Sequence, residues 1–498
     1  MRRSLIVLSN SNLVQGLLLV GLLCLFPLQQ LRGGISAVAD PDIWWHIRVG
    51  QWIIEHQAFP HNGIFSAFGA THPWAAYSWG FEVIVATLNR LGLMGISLFV
   101  IVFDVTLVLL IFLVARFFSG SFWWAWFLSA VAVWAMDLNR VNVARPVSVS
   151  ILLFTLELVL IFRAQQTRNA KYLYWLPLFF LVWANFHIQF IYGLALPGLL
   201  AAVTSVEHWV AGKWSADRGL TDEPHTLRPA VLWAIFAACF AATLVNPYTV
   251  GLYRVIFNYT QSSFAYNAIV EFRAPNFRQV PHYIQLLLLV AAFFAMGRRK
   301  IDPYKVALLT LTSLVSFRSV RDVWFACIPA AVIIAYSVRR TDPETRDNSA
   351  FGMRLLHVGP VLAGALLVIV LSAADNGLSN RALLQTVQNS YPLDAVRFIQ
   401  EHHFSGPLYN NFNWGGFLIG SLPDYPVSID GRTDLYGDDY FQQEIQTLMG
   451  RRTDDQALDR ANLVLLPSNV PLSAMLESSS RFRLVYADNM AKVFVRNP

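Results

Sequence analysis

Charge is what this sequence has least of. Only 14% of its 498 residues are Asp, Glu, Lys or Arg, against roughly 25% in a soluble globular chain. With 55% hydrophobic residues beside that deficit, an ordinary soluble enzyme and a disordered chain are both excluded. Cysteine is almost missing as well. Cys24, Cys239 and Cys327 each lie inside an apolar run, which suits packing and excludes a disulfide framework or a cysteine metal centre. Low-complexity blocks and repeats of 20–50 residues are lacking too. No basic stripe interleaved with aromatics occurs, so nucleic acid is not a partner.

What is present is a series of apolar runs. A membrane span needs about 20 mostly apolar residues. Runs at 12–30, 94–117, 122–136, 147–162, 172–185, 190–206, 230–245, 283–296, 306–316, 320–336 and 355–371 give about 11 spans. The first, behind Met1-Arg2-Arg3, has no small-residue cleavage site close after it and reads as an uncleaved anchor. Sixteen tryptophans suit a long membrane–water boundary. Placing the N-terminus in the cytoplasm puts Arg116, Arg163/Arg168/Lys171, Lys213/Arg218/Arg228, Arg298/Arg299/Lys300 and Arg339/Arg340 inside, as the positive-inside rule asks. The fold class expected is therefore an α-helical polytopic membrane protein with a C-terminal extracytoplasmic α/β domain. Its membrane domain covers residues 1–375, with a first extracytoplasmic loop at 31–93, and its soluble domain covers 376–498. That tail holds 10 Lys and Arg against 13 Asp and Glu, so the chain's net charge of +6 comes from the membrane part.

The first loop carries the densest chemistry, in Asp40-Pro41-Asp42-Ile43-Trp44-Trp45-His46. Carboxylates at the foot of a span must be solvated, paired or metal-bound. Asp40 and Asp42 suit a general base or oxygen ligands for a divalent cation. The competing reading makes Asp42 the N-cap of an interfacial helix at 43–55, with Trp44, Trp45 and Trp52 dipped into the membrane. His46 is a candidate ligand or an interfacial residue. The aromatic stretch at 72–82 reads either as a sugar-stacking wall or as an aromatic belt, and Glu82 there as a helix-start acid or a second site acid.

At other exterior helix ends stand Asp137, Asn139, Arg140 and Arg145, then Trp183-Ala184-Asn185-Phe186-His187, then Arg318, Arg321 and Asp322. Arginine holds phosphate oxygens bidentately. Asp137, Arg140, Arg145, His187, Arg318 and Arg321 are thus candidate substrate-binding residues around a phosphate group, and a local salt bridge at the hairpin is the alternative for the first of these clusters. Asp104, Glu157 and Glu207 fall in or near spans, where buried acids raise the thought of a proton relay. In the tail, Trp414-Gly415-Gly416 permits close backbone approach. The Asp430/Arg432/Asp434 set reads either as a ligand site or as an ion-paired turn that docks the tail. Neither stretch is a dinucleotide fingerprint or a P-loop.

In this layout the chain resembles the C-type-fold (GT-C) superfamily of membrane glycosyltransferases, which includes protein O-mannosyltransferases, lipid A aminoarabinose transferases and oligosaccharyltransferase catalytic subunits. Asp40-Pro41-Asp42-Ile43-Trp44-Trp45-His46, Arg145-Pro146, Trp183-Ala184-Asn185-Phe186-His187, Trp414-Gly415-Gly416 and Ile429-Asp430-Gly431-Arg432 resemble those of an uncharacterised bacterial group within it. The resemblance implies a multi-pass protein of the inner (cytoplasmic) membrane of a bacterium, working on a polyprenyl-phosphate-linked sugar and an extracytoplasmic acceptor. It implies Asp40 or Asp42 as catalytic base, with Asp137 a partner acid. A Trp-Trp-Asp-Tyr-Gly motif is absent from the tail, which argues against peptide sequons as acceptors. A divalent cation stands open as cofactor. The other functional reading is a non-enzymatic transporter, flippase or scaffold for cell-envelope polymers.

Overall fold

The computed structural model describes residues 12–31, 37–136, 143–218, 227–262, 269–298, 301–339, 355–375, 378–452 and 454–498. In chain order its main helices are α1 (Asn12–Leu31), α2 (Pro41–His56), α3 (Trp79–Leu88), α4 (Leu93–Ser119), α5 (Phe122–Ala135), α6 (Val147–Thr167), α7 (Leu176–Phe186), α8 (Phe190–Arg218), α9 (Pro229–Thr243), α10 (Gly251–Gln261), α11 (Val280–Gly297), α12 (Pro303–Arg318), α13 (Val323–Val338) and α14 (Leu355–Asp375). The tail adds α15 (Asn380–Ser390), α16 (Leu393–His402), β1 (Leu408–Asn410), α17 (Phe412–Ser421), α18 (Thr433–Leu448), α19 (Gln456–Arg460), β2 (Leu463–Pro467), α20 (Pro471–Glu477), β3 (Phe482–Ala487) and β4 (Ala491–Arg496).

Among the described residues, seven helical segments are long and apolar enough to cross a membrane: Asn12–Gln29, Leu93–Ser119, Val147–Thr167, Phe190–Ala211, Val280–Gly297, Val320–Val338 and Val358–Asp375. The other four expected spans, α5, α7, α9 and α12, have 14, 11, 15 and 16 residues. At 1.5 Å per residue the longest of them reaches only about 24 Å. α13 lies at the centre, packed by α4, α5, α11 and α12. Its sequence is apolar all round (VWFACIPAAVIIAYSV), as a helix with neighbours on every side requires. The first and last of these helices, α1 and α14, pack on each other.

The first loop builds its own two-helix unit. Asp40 sits in extended backbone and accepts from the Asp42 N–H, and Pro41 occupies the first helical position of α2. The helix cap is thus Asp40, where the sequence alone suggested Asp42. α2 lies against α3 at a spacing only glycine allows: a Cβ on Gly50 would stand 2.0 Å from the Glu82 carbonyl oxygen.

The tail holds a four-stranded sheet of order β1-β2-β4-β3, with β1–β2 parallel and the other pairs antiparallel. β2 is buried on both faces. Leu463 and Leu465 join one core, and Val464 and Leu466 join the other, as the two-residue period of a strand dictates. The first of those cores also contains Ile43, Trp45, Phe81 and Val85, so the first loop and the tail share one hydrophobic interior. The sequence Val427-Ser428-Ile429 alternates like a buried strand, but it does not join the tail sheet. Val427 bridges in parallel to Ser66, exchanging bonds with Phe65 O (3.0 Å) and Ala67 N (3.0 Å). Its backbone is satisfied by the first loop and not by the tail sheet.

Candidate active site at the foot of the first helix

The site is assembled around one arginine. Arg145 follows α5 and precedes α6, and its guanidinium meets three carboxylates. Nε donates to Asp40 Oδ2 at 2.7 Å and Nη2 to Asp40 Oδ1 at 3.0 Å, a bidentate pair. Nη1 donates to Glu271 Oε2 at 2.5 Å. Nη2 also lies 3.4 Å from Asp42 Oδ2. Asp40 is spent by these bonds and by its cap, with its side chain only 1% exposed. Asp42 keeps 29% of its side chain open, and Trp45 Nε1 donates to its Oδ1 at 3.2 Å. Burial, with the neighbouring Asp40 and Glu271 charges and against the pull of Arg145, pushes the Asp42 carboxyl up to about 6.

Beside Arg145 lies a cavity of about 40 Å³, room for a small polar group. Arg145, Glu271, His282 and Arg321 line it together with Met136 and Val323. Two of these groups have polar atoms without a hydrogen-bond partner among the described residues. Arg321 lies 5.4 Å over the Phe272 ring and makes no hydrogen bond or ion pair to another described residue. His282 is 1% exposed, and its Nε2 has no partner among the described residues. Its Nδ1 lies 3.0 Å from the Asn276 backbone nitrogen and 3.1 Å from the Asn276 carbonyl oxygen, so that peptide anchors the ring in either tautomer.

His46 sits beneath this layer. It is 4% exposed, meets Glu82 Oε1 through Nδ1 at 3.3 Å and stacks on Trp45 with centroids 3.6 Å apart. Burial pushes His46 well below the ordinary imidazole value and Glu82 well above the carboxylate range. His46 therefore steadies Trp45 from behind, and is buried away from the cavity where the sequence suggested a ligand. His187 caps α7, where its Nδ1 meets Ser150 Oγ at 2.8 Å. Burial, and then the charge of Arg321, push its imidazole well below the ordinary value. Arg318 ends α12 on an exposed side and does not line the cavity. Asp137 and Arg140 lie outside the described residues. Glu271 and His282 were not singled out from sequence. Each stands alone in an otherwise ordinary loop or helix start, and only the fold brings them to Arg145.

The tail closes the site from the other side. A Cβ on Gly431 would stand 2.1 Å from Asp42 Oδ1, and one on Gly416 would stand 2.5 Å from the Pro41 carbonyl oxygen. Tyr391 donates to the Ala39 carbonyl oxygen at 3.0 Å. Trp44 meets Tyr391 and Phe417 edge-on at 5.7 and 5.3 Å. Asp430 and Arg432 form a fully buried bidentate pair (2.8 and 2.7 Å), and the guanidinium covers the first loop's Trp74 at 4.9 Å. The geometry is that of an ion-paired turn docking the tail. Asp434, one turn on, is pushed up to about 7 by burial.

A divalent cation would need the oxygens that Asp40, Asp42 and Glu271 turn to Arg145. Among the described residues no group of three or more His, Cys, Asp and Glu side chains is placed to hold a metal ion. As arranged, these acids fit the Arg145 guanidinium and do not fit a metal ion.

No protein-family profile matches the chain, and no curated protein matches it in sequence. In structure it is similar to the oligosaccharyltransferase of Archaeoglobus fulgidus, solved tethered to an acceptor peptide with the NVT sequon. The TM-score is 0.51 at 9% identity, over 98% of this chain and 74% of that one. The chain thus shares the fold of that structure, and at that identity the likeness speaks for the fold alone.

Proposed function

We propose that the chain is a membrane glycosyltransferase of the C type. It would move a sugar from a polyprenyl-phosphate-linked donor to an extracytoplasmic acceptor hydroxyl, with Asp42 as general base. The observation that carries this reading is the partly open Asp42 carboxylate, raised to about 6. Arg145 links it to a cavity that Arg145, Arg321, His282 and Glu271 line.

The step balances as follows. The acceptor oxygen forms a bond to the anomeric carbon as the bond from that carbon to the phosphate oxygen breaks, with inversion. The acceptor proton passes to Asp42. The electron pair leaves on the phosphate, where the Arg321 guanidinium opposes the developing charge. Asp40 is a positioning residue: it caps α2 and holds Arg145, which in turn holds Asp42 and Glu271. No step is routed through a metal ion, because the carboxylates that would bind one are engaged by Arg145.

The test is transfer in membranes supplied with radiolabelled isoprenyl-phosphate sugars, read as release of isoprenyl phosphate. Asp42→Asn abolishes release while the protein still reaches the membrane folded. Full activity in both Asp42→Asn and Asp40→Asn sinks the proposal. One observation favours the transport reading. Glu157 is fully buried in α6, and neither carboxylate oxygen has a partner among the described residues. Loss of flux in Glu157→Gln, with Asp42→Asn harmless, would put transport in place of transfer.

A further inference from the structure

The contact between the first loop and the tail holds four polar atoms that no group among the described residues satisfies. Arg432 spends Nε and Nη2 on Asp430 at 2.8 and 2.7 Å, and its Nη1 has no partner. Asp430 has no lone pair left for it, because it also accepts from the Arg432 backbone N–H at 3.0 Å and from Tyr436 Oη at 2.7 Å. Under the guanidinium, 4.9 Å away, lies the ring of Trp74, whose Nε1–H is unpartnered too. Glu82 turns Oε1 to His46 at 3.3 Å and leaves Oε2 without a partner. Ser78 stands at the N-cap position of α3, where a serine oxygen ordinarily accepts from a free helix N–H. Here it makes no cap bond, and its Oγ has no other partner. After burial, the charges that act on Glu82 are those of Arg432 and Asp434, which places the acid in the same neighbourhood. All four residues are at most 5% exposed, so bulk solvent does not serve them.

We infer that this seam is a binding site for ordered water, which bridges the first loop to the tail. Leaving a buried donor or acceptor unmade is unfavourable, and internal water is the ordinary remedy. The chemistry of the set selects the ligand. Trp74 and Arg432 can only donate, whereas Glu82 and Ser78 can accept. A cation would face the Arg432 guanidinium. An anion would face Asp434 and gain little from Arg432, whose charge Asp430 already neutralises. A small neutral molecule that accepts twice and donates twice matches the set, and water is that molecule. It takes the N–H groups of Trp74 and Arg432 and gives its hydrogens to Glu82 and Ser78. Gly431, whose backbone lies on Asp42, immediately precedes Arg432. The bridge therefore sits in the turn that covers the candidate base, and the tail holds that turn in part through solvent.

The test is a crystal structure of the full chain grown in a bromide salt, at a resolution that shows ordered solvent. We expect density at about 2.7–3.2 Å from Trp74 Nε1, Arg432 Nη1 and Glu82 Oε2, without the anomalous signal of bromide. Well-resolved side chains around an empty seam overturn the inference. So does an anomalous peak there, or a direct bond from Trp74 to Asp434 together with one from Arg432 to Glu82. The second arm is Ser78→Ala, which deletes an oxygen that bonds to no described residue. With water in place it speeds limited proteolysis of the tail about fivefold. It adds nothing further in a Trp74→Phe background, because both changes break the same bridge. A Ser78→Ala tail cut at the native rate, or effects that simply multiply in the double variant, overturn the bridge.

Discussion

Removing the Arg145 side chain tests the architecture most directly. In Arg145→Ala the guanidinium goes, and Asp40, Asp42 and Glu271 are left facing one another. Asp40 is the decisive partner: its side chain is 1% exposed and that of Arg145 15%. Stripping one member from such a buried pair destabilises by about 3–5 kcal/mol, since the remaining charge has no compensation. Asp42 and Glu271 keep 29% and 37% of their side-chain surface, so water screens their share and little is added for them. About 4 kcal/mol remains. At roughly 2 °C per kcal/mol for a large folded body, the thermal midpoint falls by roughly 8 °C. The same deletion turns three carboxylates into an oxygen-lined vacancy of the type a hard divalent cation takes. Thermal unfolding in detergent, followed by intrinsic fluorescence, should therefore show a lowered midpoint in Arg145→Ala that Mn²⁺ or Ca²⁺ raises again. The native protein should respond to neither ion nor to chelator. An Arg145→Ala protein that melts at the native temperature, or that ignores both ions, would falsify the claim that this guanidinium is the cation of the site.

The remaining expectations concern the base and the tail. Transfer should rise with pH through a midpoint of about 6, because Asp42 must be ionised to accept a proton. Trp45→Phe removes an N–H that stabilises the carboxylate, so it shifts that midpoint upward. A pH–rate profile that is flat between pH 5 and 8 at about tenfold resolution argues against Asp42 as base. Gly431→Ala places a methyl 2.1 Å from Asp42 Oδ1. It should depress transfer while leaving the spans intact, with the tail cut faster in limited proteolysis. Arg432→Ala breaks the buried pair with Asp430 and should destabilise tail docking by about 3–5 kcal/mol, read as a lower protease midpoint for the tail alone.

Much of this architecture could be read in the residues before any coordinates. Seven apolar helices stand where hydropathy places spans, since twenty consecutive apolar side chains have few other uses. Most tail strands and helices fall where periodicity puts them, β2 being the clearest with four apolar residues in a row. The boundaries that failed did so through long-range pairing. Val427 looks like a tail strand and is claimed by Phe65 and Ala67, residues of a different part of the chain. The site was legible in part. Asp40, Asp42, Arg145 and Arg321 lie together, while Arg318, on the next helix end, is turned elsewhere. No local pattern says that Arg145 will face acids 105 and 126 positions away. Glu271 and His282 carry no signal beyond their identity. The paired glycines Gly415 and Gly416 did announce a close approach, but what they approach is fixed only by the docked tail.

The shared interior of the first loop and the tail sets an order on biosynthesis. Asp40 leaves the ribosome long before Ile429, which packs in the same core as Ile43 and Phe81. At 5–20 residues per second the interval is roughly 20–80 s. Throughout it the acids and their arginine exist without the Gly416 and Gly431 backbone that later covers them. A chain in this state has its chemistry exposed and its enclosure unbuilt, so competence arrives with the last quarter of translation and not with the membrane bundle. Enclosure of the site is thereby tied to delivery of the tail, and a chain terminated before it lacks the Gly416 and Gly431 backbone that covers the acids.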